Sequence, residues 1–229
     1  MEQSVVKLAN YSSLMDSEKL GGLIMHRDEA VRKLKELEGQ DLHYLAKKYD
    51  ITVLSANGRV NKGWAGHVCE RYLGLPINSS QSPNFGSWEL KSVPLKKLKN
   101  GKLAFKETMA ITMIDEYNVK RTSFEESHLL SKLRKAVIVA RTVGTSYDMP
   151  TLVHSVTSVD LSEELYNEVK ADYELVQECL NDPERGFLKL TGQIGTYIQP
   201  RTKGAGHGSV SRAFYAKTLF LSKIIDLSE

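Results

Sequence analysis

The chain predicts a mixed α/β fold, with a central mixed sheet and helices packed against it. Three observations carry that expectation. Segments with apolar residues at helical spacing stand toward both ends, one over 28–37 and a longer one bearing Leu165, Val169, Tyr173, Val176 and Leu180. Between them, Trp88-Glu89-Leu90-Lys91-Ser92-Val93 alternates with period two, as a strand with one inward face does. Two short apolar runs, 136–140 and 151–156, have the length of buried strands.

Taken in order, the helix over 28–37 sets Val31, Leu34 and Leu37 on one side and ends at Gly39. A second short helix turns Leu42, Leu45 and Ala46 inward. Ser55-Ala56-Asn57-Gly58 is a turn. Asn61 is the expected N-cap of a helix over 62–73, which Gly74 and Pro76 close. Residues 79–82 form a loop. After the first strand, Asn100-Gly101 makes a hairpin turn into a second strand over 102–113. A helical approach at 131–134 leads into the strand at 136–140. Asp160 is expected to open the long acidic helix, with Glu163 three places on completing a capping box. Segments 188–200 and 214–225 supply the last strand and helix. One domain is expected over all 229 residues, with a helical lobe at about 27–125 and a second lobe at about 126–229.

A chain of this length buries roughly 70% of the surface its unfolded form exposes, so a core suffices without staples. Cys69 and Cys179 fall in helical segments, and no disulfide framework is expected, which fits a reducing cytoplasm. His67 and Cys69 lack further ligands at zinc spacing. No apolar run approaches ~20 residues, so no membrane span is expected, and the N-terminus lacks the apolar stretch of a signal peptide.

Net charge is only +3, but its distribution is uneven. From Arg185 to Ile225 there is no acid, while Arg185, Lys189, Arg201, Lys203, Arg212, Lys217 and Lys223 fall there. A second acid-free block runs from Lys91 through Lys96, Lys97, Lys99 and Lys102 to Lys106. Between them lies an acidic segment from Asp160 to Glu184. Such segregation points to one face for a polyanion and one for water, against the alternative of ordinary solvated faces.

The chemistry concentrates in Pro83-Asn84-Phe85-Gly86-Ser87-Trp88-Glu89-Leu90-Lys91. On a strand Glu89 and Lys91 share one face, and Trp88 and Leu90 point the other way into the core. A carboxylate beside an ammonium suits phosphodiester hydrolysis. The carboxylate can hold Mg²⁺ through oxygen, and the lysine can steady the attacking water and the charge developing at phosphorus. A second carboxylate must come from nearby. The tripeptide alone also occurs as an exposed, salt-bridged strand.

Several ordered motifs add to it. Asn61-Lys62-Gly63-Trp64-Ala65-Gly66 and Glu70-Arg71-Tyr72-Leu73-Gly74 precede it; Glu126-Ser127-His128 and Lys132-Leu133, Tyr197 through Ala205, and Phe214-Tyr215-Ala216-Lys217 follow. In this order they resemble the MutH family of PD-(D/E)xK endonucleases, from about residue 27 to the end. The segment 95–102 is similar to the family's GATC-cleaving restriction enzymes rather than to its mismatch-repair nickase. The resemblance implies a restriction-endonuclease-like core with two lobes around a DNA cleft, double-stranded DNA as substrate and Mg²⁺ as cofactor. It implies Glu70, Asn84 and Glu89 as metal positions, with Lys91 completing the catalytic set. It implies DNA contacts at Lys62, Lys132, Arg201, Thr202, Lys203, Gly204, Tyr215 and Lys217, with Lys62 and Lys132 matching backbone-contacting or active-site lysines, and the basic block adds Lys96, Lys97 and Lys99.

Residue chemistry agrees. Arg201 can grip guanine O6 and N7 with two donors. Gly204 and Gly206 let a backbone approach closely. Tyr215 can meet an adenine or thymine edge. His128 and His207 are better read as structural or phosphate-facing than as general bases. A palindromic site implies a homodimer on DNA, and a restriction role implies a cognate methyltransferase. The expected activity is type II restriction at GATC or a related palindrome. The alternatives are a nickase at hemimethylated GATC with a MutL-like partner, or a DNA-binding paralogue without catalysis. The family pattern has aspartate where Asn84 stands. An amide keeps the shape without the charge, so binding without cutting is expected. The retention of Glu70, Glu89 and Lys91 fits a substitution that traps uncut DNA better than drift from catalysis.

Overall fold

The computed structural model describes residues 25–75, 88–144, 146, 149–204 and 210–227. Helix α1 (Arg27–Lys35) buries Ala30 and Leu34, with Leu37 buried just beyond and Val31 only partly so. Its first turn carries Asp28 and Glu29 and its last Arg32, Lys33 and Lys35, the order that complements the helix dipole. Gly39 turns the chain at φ +79° into α2 (Leu42–Lys48), whose N-cap Asp41 accepts from the His43 amide.

Helix α3 (Trp64–Tyr72) starts later than expected. Gly63 is its N-cap, and the Asn61 side chain accepts from the Gly63 amide at 3.2 Å. That local turn holds the backbone out of helix for two residues.

The strands are β1 (Glu89–Lys97), β2 (Leu103–Phe105), β3 (Met109–Met113), β4 (Lys135–Thr142), β5 (Val153–Asp160), β6 (Ile198–Thr202) and β7 (Arg212–Ala216). They form a four-stranded sheet in the order β2-β1-β4-β5 and a three-stranded sheet in the order β3-β7-β6. β1 runs parallel to β4, and the other pairings are antiparallel. The expected strand over 102–113 is therefore two strands in different sheets. Lys106-Glu107-Thr108 interrupts it: the Lys106 amide still bonds to the Pro94 carbonyl, and from there the chain crosses to the second sheet.

Both faces of the first sheet are covered, as a buried apolar strand such as β4 requires. Val137 and Val139 join Trp88 and Leu90 in a core under α1, α2 and α3. Ala136, Ile138 and Ala140 join Val93 and Leu95 in a second core beneath the long acidic helix over Glu163–Asn181 and the three-stranded sheet. Between β3 and β4 lie two short helices, α4 (Glu116–Val119) and α5 (His128–Leu133). Helix α6 (Glu163–Asn181) begins at Ser162, whose hydroxyl accepts from the Leu165 amide, and not at Asp160. Asp160 ends β5 and holds Arg27 with two bonds of 2.7 and 2.9 Å, so it is committed to α1. The stripe Leu165, Val169, Tyr173, Val176 and Leu180 is buried as expected. Helix α7 (Thr218–Ile224) closes the chain with Phe220 and Leu221 inward. Among the described residues no helix is long and apolar enough to cross a membrane.

One buried polar residue on the inner face of α6 positions the second sheet. Asp172 accepts from the backbone amides of Thr196, Tyr197 and Ile198 at 2.6–2.7 Å, which fixes the start of β6. Gly195 passes so close to this carboxylate and to the Ile198 carbonyl, at φ +80°, that a Cβ there would collide. Replacing Asp172 by Ala strands three buried donors and should cost roughly 3–5 kcal/mol of stability, with Asn losing less because its amide oxygen still accepts. Urea unfolding checks this; a loss under about 1 kcal/mol for Ala would remove the anchoring role.

Candidate active site

Glu89 opens β1 and is only 1% exposed. One of its oxygens, Oε1, accepts from the Lys91 ammonium at 2.7 Å and from the Lys132 ammonium at 3.2 Å. Lys91 comes from the same strand face, as period two dictates. Lys132 comes from α5, which is started by Ser127, whose hydroxyl accepts from the Leu130 amide. Lys91 also reaches the Ile111 carbonyl on β3 at 3.4 Å. A helix and one strand from each sheet thus meet around the Glu89–Lys91 pair.

Burial lowers the pKa of the Lys91 ammonium; Glu89 opposes that shift, while Lys132 and Lys203 add to it. Lys203, at the far end of β6, therefore lies within electrostatic reach of the β1 pair. Among the described residues the Glu89 carboxylate meets two ammonium groups, and Lys203 adds positive charge nearby, which favours an anion beside them.

Glu70 sits in α3, on the helix layer that packs against β1, and is 5% exposed. Its neighbour Cys69 is buried, and burial pushes that thiol up to about 12, with Arg141 opposing the shift and Glu70 adding to it. Asn84 and Gly206 lie outside the described residues. Among the described residues no three His, Cys, Asp or Glu side chains gather as a metal cluster. Glu70 and Glu89 are nevertheless hard oxygen donors of the kind Mg²⁺ takes.

The other expected contacts fall in two groups. On β6, Ile198 and Pro200 face the core, so Arg201 projects outward beside Tyr215 of β7. The Arg201 guanidinium donates to the Thr108 hydroxyl at 3.1 Å and lies 5.8 Å from the Tyr215 ring centre. Burial raises the Tyr215 pKa, Arg201 opposes it and Glu107 adds to it. Thr202, Lys203 and Gly204 are exposed. Lys96, Lys97 and Lys99 are exposed around the hairpin at Asn100-Gly101, where the Leu98 amide bonds to the Lys102 carbonyl at 2.8 Å. Lys62 is exposed just ahead of α3. Lys217 instead bends back, its ammonium donating to the Gly195 carbonyl at 2.5 Å.

Charge counting along the chain did not find two features. Arg212, in the acid-free block, is buried and donates to the Leu188 and Leu190 carbonyls at 3.2 and 3.3 Å, so it braces the chain. Thr108, which orients Arg201, carried no signal in sequence.

The class defined so far is a mixed α/β protein whose first sheet carries a buried Glu-x-Lys strand pair. Comparison then makes it particular: the family model described as DNA mismatch repair enzyme MutH matches residues 73–164. It is similar to the type II restriction enzyme Sau3AI of Staphylococcus aureus, 28% identical over 210 residues, which is 82% of this chain but 42% of that enzyme. The chain thus spans less than half of that relative's length. It is equally similar to the DNA mismatch repair protein MutH of Shewanella woodyi, 28% identical over 218 residues, 86% of this chain and 90% of that one. A solved structure of the restriction endonuclease MvaI with cognate DNA aligns at a TM-score of 0.35 and 11% identity, covering 87% of this chain and 97% of that one.

Removing Glu89 alone would leave two ammonium groups buried side by side. Glu89→Ala should cost roughly 3–5 kcal/mol, and adding Lys132→Met should recover part of the loss. Chemical denaturation of the single and double variants tests this; strictly additive losses would show that the two side chains are not coupled.

Proposed function

We propose that the chain is a site-specific double-stranded DNA endonuclease of the type II restriction class, reading GATC or a related palindrome, and that Asn84 holds it nearly inactive. The carrying observation is the buried Glu89 carboxylate shared by Lys91 and Lys132, with Lys203 of the neighbouring sheet within electrostatic reach. A phosphodiester beside this cluster meets positive charge where negative charge develops during attack at phosphorus. Lys91, with its proton affinity lowered by burial, is suited to orient the attacking water and to pass a proton at Nζ. Glu70 and Glu89, with the amide oxygen of Asn84, would hold Mg²⁺, which supplies Lewis-acid charge for the hydrolysis. An amide offers a neutral oxygen at the central position, so DNA binding persists while the rate collapses.

Sequence reading falls to Arg201, which Thr108 and the Tyr215 ring hold outward for a guanine edge. Thr202, Lys203 and Gly204 follow it along the groove. Lys62, Lys96, Lys97 and Lys99 contact backbone phosphates, and Lys217 acts by bracing the turn before β6. The duplex lies between the two lobes, about 27–125 and about 126–229, which share strands of both sheets. Two copies pair on the palindrome in the cytoplasm, where a cognate methyltransferase protects the host site.

A second reading is favoured by one comparison. The alignment takes in 90% of the Shewanella woodyi mismatch repair protein against 42% of the restriction enzyme. It makes the chain a nickase at hemimethylated GATC that acts with a MutL-like partner. Double-strand cleavage of unmethylated plasmid without any partner separates the two. In a third reading, resting on Asn84, the chain binds DNA and never cuts.

Asn84→Asp should restore Mg²⁺-dependent cleavage of a GATC-bearing plasmid, and in that background Glu70→Ala or Glu89→Ala should abolish it while calcium-supported binding survives. Equal digestion by the asparagine and aspartate forms, or none by the latter, defeats the proposal. Arg201→Ala should weaken specific binding by roughly 1–3 kcal/mol and relax one guanine position. A gel-shift series over single-base site variants reads this, and unchanged discrimination would remove Arg201 from base reading.

A further inference from the structure

On the opposite face of the first sheet from Glu89 lies a pocket of about 290 Å³. Its inner wall is Arg141, near the end of β4. Along β4, Val137 and Val139 face the α1–α3 layer, and Arg141 follows them at the same period. The guanidinium Nε donates to the Ser92 hydroxyl at 3.1 Å, and the group lies 5.6 Å from the Trp64 ring centre. Trp64 is stacked in turn on His43, with centroids 4.8 Å apart and planes 9° from parallel. Lys62 and Lys106 line the mouth, and Glu107 stands with them.

The charge balance of this pocket is incomplete. Among the described residues Arg141 makes no salt bridge, and Ser92 takes only one of its five N–H donors. Burial lowers its pKa, with Glu107 opposing from a distance. A half-buried guanidinium with donors to spare, and two exposed lysines beside it, favour an anion in the pocket.

We infer that this pocket is a phosphate-binding subsite, in which the Arg141 guanidinium, supported by Lys62 and Lys106, receives the phosphate group of a nucleic-acid backbone or of a free nucleotide. The fork of an arginine matches two phosphate oxygens, which suits it to the inner wall, and lysines act as adaptable point charges at the rim. The Trp64 and His43 rings supply an aromatic wall beside it, as a nucleotide would use. The Lys106-Glu107-Thr108 connector joins this pocket to the Arg201 and Tyr215 surface, since Thr108 binds Arg201 and Glu107 acts on both Arg141 and Tyr215. The subsite stands on its own geometry and does not require that the chain cleave DNA.

Trp64 provides the readout, because it is one of two tryptophans and Trp88 is fully buried, with its indole bonded to the Met25 carbonyl at 3.0 Å. The full chain is titrated with inorganic phosphate, with deoxyadenosine monophosphate and with a short duplex lacking GATC, following tryptophan emission. A saturable change is expected, absent in Trp64→Phe. Lys106→Gln, an exposed change that spares the fold, should weaken it several-fold, and Arg141→Gln roughly tenfold, the loss of about one charge-assisted contact. Saturation by phosphate or the mononucleotide identifies a free phosphate ester as the occupant; saturation by the duplex alone identifies the backbone. No saturable change with any of the three probes overturns the subsite, and so does unaltered affinity in Lys106→Gln should Arg141→Gln fail to fold. Arg201→Ala should leave the free-phosphate titration unchanged, so failure of the endonuclease reading and failure of this subsite are told apart.

Discussion

Glu89 is the constraint around which the rest is arranged. A carboxylate that is 1% exposed cannot stand alone in an apolar strand, and the cost of taking it out of water is offset only by cations brought to it. Lys91 is supplied by the strand itself. Lys132 must come from α5, and Lys91 in turn reaches the Ile111 carbonyl of β3, so satisfying one side chain ties β1, α5 and the second sheet together. The same strand face becomes apolar two residues later, at Val93 and Leu95, where it meets the core under α6. One strand therefore begins as a polar site and ends as packing surface, and the change occurs within a single turn of side-chain alternation.

The second sheet is held by a different use of charge. Asp172 satisfies three backbone amides at the start of β6, and Lys217 binds the Gly195 carbonyl from the other side. Arg212 satisfies carbonyls around Leu188 and Leu190. These charged groups stabilise an irregular stretch of chain that has no ladder of its own between α6 and β6. They also divide the basic C-terminal segment by role. Arg201 and Lys203 face solvent at the edge strand, whereas Arg212 and Lys217 are spent on the backbone. The positive face offered to a polyanion is narrower than the run of basic residues implies, and it is better defined in direction.

The connector of Lys106, Glu107 and Thr108 matters more than its length indicates. It ends pairing in the first sheet, carries the chain to β3 and brings Thr108 under the Arg201 guanidinium. The Arg141 pocket and the Arg201 surface, on different sheets, are thereby joined by one short segment. A ligand spanning both would be read in part by how these two sheets are set against each other.

Periodicity and charge order, which are properties of neighbours in the chain, were enough to determine the α/β class, the buried stripe of α6, the hairpin at Asn100-Gly101 and the common face of Glu89 and Lys91. Local signals misplaced two boundaries. Asn61 formed a turn with Gly63 where a cap was expected, and Ser162 took the cap that Asp160 left for Arg27. Only the tertiary structure decided that Lys132 joins Glu89 across 43 positions, that the stretch over 102–113 divides between two sheets, and that Arg141 ends in a pocket where, among the described residues, no carboxylate is bound to it. The physical reason is the same in each case. A spacing along the chain sets which way a side chain points, but which buried charge it meets depends on packing between distant segments, and no local pattern carries that information.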